Sequence, residues 1–130
     1  MRQASVIVSD EFTHSLSGKF NLFGTYTTDI RIPFEPYLGN QLVFLFLIET
    51  SPEDLFQRLE LHVVLPGGDS RHQSLALDKF TPGLADQRRW SLKYPLLFAS
   101  PLLNAGPIEA TVIHEKGTIS TAAPFVIVQQ

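Results

Sequence analysis

Residues 59–75 read LELHVVLPGGDSRHQSL. Leu59, Leu61, Val63 and Leu65 alternate with Glu60, His62 and Val64. A period of two belongs to a strand with one dry face. PGGD, residues 66–69, is made of residues that reverse a chain. Beyond it Ser70, His72 and Ser74 alternate with Arg71, Gln73 and Leu75. The stretch predicts a β-hairpin. With a three-residue loop, Pro66 to Gly68, His62 and His72 face each other across it.

The same grammar runs outward in both directions: short runs of Val, Ile, Leu, Phe and Thr, separated by Gly, Pro, Asn and Asp. Upstream, Ala4 to Val8 reads as a first strand and SDEFTHSLSG, residues 9–18, as a polar connection. Lys19 to Ile32 reads as one long strand, bulged or bent at Gly24 and stopped by Pro33 and Pro36. QLVFLFLIET, residues 41–50, is the third strand. Ser51-Pro52-Glu53-Asp54 carries helix-start signals and predicts a helical turn or two over Pro52 to Gln57. Downstream, Thr81-Pro82-Gly83 opens a loop through Arg89. Trp90, Leu92, Tyr94, Leu96 and Phe98 share one face, and Pro95 on the other parity predicts an edge strand or a bulge. Ile108 to His114 is a seventh strand and Glu115 to Thr118 a tight turn. The eighth strand, interrupted at Pro124, ends in Phe125 to Val128. No segment keeps a helical period. The expectation is all-β: one antiparallel two-layer β-sandwich domain over residues 1–130, immunoglobulin-like, with about eight strands and at most one or two short helical turns. A small barrel is the alternative.

Composition excludes several classes. The chain has 130 residues, 44% hydrophobic and 18% charged, enough for a real core and unlike a disordered chain. Its net charge is −3, and the one tight basic cluster is Arg88-Arg89. That argues against nucleic acid, whose phosphates call for a basic surface. There is no cysteine, so no disulfide and no thiolate ligand, which fits a reducing compartment. Only Val6 to Val8 is continuously apolar near the start, too little for a signal peptide. The longest apolar run, Leu42 to Ile48, is too short for a membrane span. A soluble cytoplasmic protein is expected.

Motifs of chemistry fail on spacing. Gly18-Lys19 resembles the end of a phosphate-binding loop, but Thr13 stands where its first glycine belongs and Phe20 where its hydroxyl belongs. Asp69, Ser70 and His72 hold the residue types of a hydrolase triad. Yet Ser70 and His72 share one strand at about 6.6–6.8 Å, beyond contact between a nucleophile and its base. His62 and His72 offer a zinc ion two ligands, where structural sites need four and catalytic sites three. No catalytic residue, metal site or cofactor is expected.

The third strand carries the one pointer to binding. Leu42, Phe44, Phe46 and Ile48 face one way, and Val43, Leu45 and Leu47 the other, so both faces are apolar. The second face needs a cover. That cover is either the chain's own 81–89 segment or another molecule. Val43, Leu45 and Leu47 are therefore interface candidates, for a protein partner or a homodimer. A small-ligand or carbohydrate site at one end of the sandwich is the alternative. Phe34 and Tyr37, in the Pro-rich IPFEPYLG, and Arg88 and Arg89 would be its contacts.

ASVIVSDEFTHSLSGKFNLFGTY, then IPFEP, FQRLELHVVLPGGD, RRWSLKYPLLF and a closing PFVIV occur in an order that resembles a family of short bacterial β-sandwich proteins, a domain-of-unknown-function family. Order and spacing carry the likeness along nearly the whole chain. Asn104 to Ile108 replaces the family's Pro-Gly-x-Tyr, and Pro-Gly-Gly-Asp replaces an acidic turn. Both departures bear on register only. The resemblance implies a compact β-sandwich and supplies no catalytic residues. A non-enzymatic interaction or structural module is the function expected.

Overall fold

The computed structural model describes residues 2–14, 19–77 and 90–129. It is all-β. The strands are β1 (Gln3–His14), β2 (Phe20–Tyr26), β3 (Asp29–Ile32), β4 (Tyr37–Leu38), β5 (Gln41–Thr50), β6 (Leu59–Val64), β7 (Ser70–Leu75), β8 (Trp90–Ala99), β9 (Leu102–Leu103), β10 (Gly106–Pro107), β11 (Glu109–His114), β12 (Gly117–Ser120) and β13 (Phe125–Val128). Two four-stranded antiparallel sheets dominate, in the orders β2-β1-β5-β8 and β12-β11-β6-β7. A three-stranded sheet, β10-β13-β3, includes the parallel pair β13–β3, and β4 pairs with β9. Among the described residues no sheet closes on itself, which goes against the barrel alternative.

The hairpin at 59–75 forms as its alternation dictates. Val64 pairs with Ser70 and His62 with His72. The Leu65 amide donates to Asp69 O at 2.8 Å and closes the Pro66–Gly68 loop. Gly67 and Gly68 turn the chain at φ +111° and +110°, where a side chain would be strained. Leu59, Leu61 and Val63 enter one buried cluster with Phe44, Phe46 and Ile48 of β5, Leu96 and Phe98 of β8, and Val112 of β11. That cluster draws on both four-stranded sheets, and it is where most of the apolar area leaves water.

Four expectations need correction. Residues 9–14 are not a connection: β1 runs through them to His14, because β2 supplies a partner for their backbone. The predicted strand over Lys19 to Ile32 is two strands, parted by bends at Thr27 and Thr28 and claimed by different partners, β1 and β13. Gly24 adopts φ +69° within β2, yet the pairing with β1 keeps one register on both sides of it. It is a bend and not a bulge. Pro52 to Gln57 forms a turn instead of a helix. Asp54 N donates to Ser51 O at 3.0 Å, but Phe56 is then drawn against Trp90 and Gln57 N donates to Glu115. The strand count also exceeds eight, since the terminal run divides into β12 and β13 and short pairs add β4, β9 and β10. Pro95 lies on β8, an edge strand, as its parity predicts, opposite Leu45.

Candidate functional site

The β1–β2 hairpin outruns its sheet. β5 pairs with β1 from Gln3 to Ser9, and beyond Ser9 β1 pairs, among the described residues, with β2 alone, through His14 opposite Phe20. Alternation puts Phe12, His14, Phe20 and Leu22 on one face of this arm. Phe12 and Phe20 pack at 5.9 Å between ring centroids, and His14 stacks on Phe20 at 4.6 Å. Phe23 points the other way and is 51% exposed.

Among the described residues, β2 pairs only with β1, so no described strand occupies its outer edge. Edge strands are commonly defended by charge, proline or brevity. β8 carries Lys93 and Pro95, β7 carries Arg71, β3 carries Asp29 and Arg31, and β12 has four residues. β2 is FNLFGTY, seven residues without charge or proline.

A cleft of 650 Å³ lies between the base of this arm and β3–β4. Asp10, Glu11, Tyr26, Arg31, Tyr37, Asn40 and Gln41 supply its polar lining. The Tyr26 hydroxyl donates to Asp10, and Gln41 Nε2 donates to Asp10 O at 3.1 Å. Burial, reinforced by Asp10, pushes the Tyr26 phenol well above its ordinary value. Gly24 makes the Asp10 placement possible: a Cβ there would stand 2.5 Å from Asp10 Oδ2.

The sequence candidates fall in three places. Tyr37 lines the cleft, and Phe34, 60% exposed, meets its ring edge-on at 5.5 Å. Arg88 and Arg89, with the rest of the 81–89 segment, lie outside the described residues. On the outer face of β5, Val43 and Leu45 are already buried in the single chain, and Leu47 is half-buried beside Ser5 and Lys93. Only Leu47 of the three retains surface. The sequence reading missed Asp10, Tyr26, Asn40 and Gln41, which lie far apart until β1, β2 and β5 assemble. The open edge had a legible signal, the uncharged run at 20–26.

Two other clusters are structural in form. His62 and His72 stack at 5.5 Å between ring centroids, inclined by 19°, and Glu60 is 3.8 Å from His62 Nε2. Among the described residues, no group of three or more His, Cys, Asp or Glu side chains is arranged to hold a metal ion. Asp69, the acid of the rejected triad, instead accepts from Leu102 N at 3.0 Å. At the opposite end of β1, Arg2 is a staple. Its guanidinium donates to Glu115 at 2.6 Å, Leu55 O at 3.0 Å and His114 Nδ1 at 2.9 Å, and lies over the Phe56 ring at 4.4 Å. Asp54, at 3.2 Å from Arg2, also accepts from Lys116. The hydrogen bond from Arg2 holds the Glu115 carboxyl down at about 2. Burial, then the Arg2 charge, lowers His114.

No protein-family model matches the chain, and no curated protein matches it either. Among the described residues, no helix is long and apolar enough to cross a membrane.

Proposed function

We propose that the chain is a non-enzymatic interaction module, an immunoglobulin-like two-layer β-sandwich of the bacterial family it resembles, that self-associates through the open edge of β2. The undefended β2 edge carries this reading. An open strand edge presents unpaired amide and carbonyl groups, and strand addition is a common way to satisfy them. A second copy suits this edge because antiparallel pairing of two β2 strands sets no like charges opposite each other. Phe23 is the middle residue of β2, so a two-fold pairing centred on it brings two exposed phenyl rings together. Cross-strand aromatic pairs contribute about 0.5–1.5 kcal/mol beyond the area they bury. The arm also gains, since a two-stranded ribbon is marginal alone and four strands are not.

Sedimentation velocity on the wild type and Phe23→Lys tests this. Phe23 is exposed in the single chain, so the lysine leaves its fold intact while charging the edge. The wild type sediments as a dimer and the variant as a monomer of unchanged melting temperature. A wild type that stays monomeric throughout the concentration range refutes the reading.

A further inference from the structure

We propose that the cleft between the arm base and β3–β4 binds a neutral ligand bearing vicinal hydroxyls, of the monosaccharide class. Its 650 Å³ falls within the range of small-molecule sites. The charges disfavour an anion: Asp10 and Glu11 line the cleft and repel one, while Arg31 on the same lining offsets part of their pull on a cation. A neutral hydroxyl is both donor and acceptor and meets both kinds of group.

The hydrogen-bonding capacity left over points the same way. Tyr26 spends its proton on Asp10, and Gln41 spends an amide proton on the Asp10 carbonyl, which leaves Gln41 Oε1 as an acceptor. Arg31 directs Nε to Asp29 at 3.4 Å, leaving its terminal nitrogens as donors. The Tyr37 hydroxyl and the Asn40 amide make no side-chain hydrogen bond to another described residue. Donors and acceptors thus both remain on the lining, which suits a diol. Ile30 and Leu42, both buried, give it an apolar floor. The Tyr37 ring, propped edge-on by Phe34, offers a face for the C–H groups of a sugar ring.

Tyr26 of β2 lines the cleft, but Asn40 and Tyr37 lie outside β2, so variants at those two residues test the ligand site without altering the edge and the two claims fail separately. The test is calorimetric and ligand-observed NMR titration of the whole chain with glucose, galactose, mannose and myo-inositol, beside phosphate, glutamate and spermidine. At least one neutral polyol binds. Asn40→Ala and Tyr37→Phe each weaken it about tenfold, the scale of one lost hydrogen bond. Their melting temperatures and sedimentation stay as in the wild type. The proposal is overturned if no neutral polyol binds at millimolar concentration, if only the charged compounds bind, or if both variants bind as tightly as the wild type.

Discussion

Replacing Glu115 with Gln separates the Arg2 staple from mere proximity. Arg2 is 7% exposed and Glu115 23% exposed in their side chains, so the pair is largely sheltered. A carboxyl lowered from 4.5 to about 2 corresponds to about 3 kcal/mol before screening. Screening by nearby solvent and by Asp54, which stays beside Arg2, reduces this to about 1–2 kcal/mol. The sign follows from the lowered value. The contribution is complete above the unfolded carboxyl's ordinary range and is lost as pH falls from about 5 towards 2. Urea denaturation of the wild type and Glu115→Gln at pH 7 therefore differs by about 1–2 kcal/mol. The gap narrows below pH 5 and closes near the pH at which folded Glu115 is protonated. With Arg2→Met as background, Glu115→Gln costs little, because the cycle removes the shared interaction. A gap that persists unchanged at low pH, or one below about 0.3 kcal/mol at pH 7, refutes the reasoning.

Gly24→Ala forces a Cβ onto Asp10 Oδ2 at 2.5 Å with φ at +69°, and urea denaturation should show a loss of about 1–2 kcal/mol. A neutral result would mean that β2 relaxes freely at that point. Leu45→Asp puts a charge where the side chain is 4% exposed, between Ile7 and Pro95. It should unfold the chain, read by circular dichroism. A folded variant that loses only association would place Leu45 at an interface.

Period-two alternation made β6 and β8 legible, because each buries one face more deeply than the other, while β5 was legible as a continuous apolar run buried on both faces. The 59–75 hairpin came out with its register, since Pro66-Gly67-Gly68 fixes the loop and the loop fixes which residues oppose. The β1 extension was hidden because Asp10, Glu11 and Thr13 lack the apolar marking of a core strand. Their strand state is imposed by β2 and not by burial. The split at Thr27-Thr28 was hidden because nothing local distinguishes one bent strand from two strands with different partners. A parallel pair such as β13–β3 joins residues almost a hundred positions apart, and no window of sequence spans that distance. Pro52-Glu53-Asp54 was misleading for a related reason. Its helix-start signals are genuine, but anchoring Phe56 and Gln57 outweighs one turn of helix, whose nucleation is unfavourable alone. Of the cleft, only Tyr37 was foreseen, from its proline-rich surroundings. The rest depends on the fit of Gly24 beneath Asp10, a property of paired backbones.

The most direct test of β2 edge pairing is amide hydrogen exchange across residues 20–26 at low and high protein concentration. Edge pairing predicts that the outward-facing amides of β2 exchange freely when dilute and become protected when concentrated, while β5 amides remain protected in both conditions. Identical exchange of β2 at both concentrations would contradict the account.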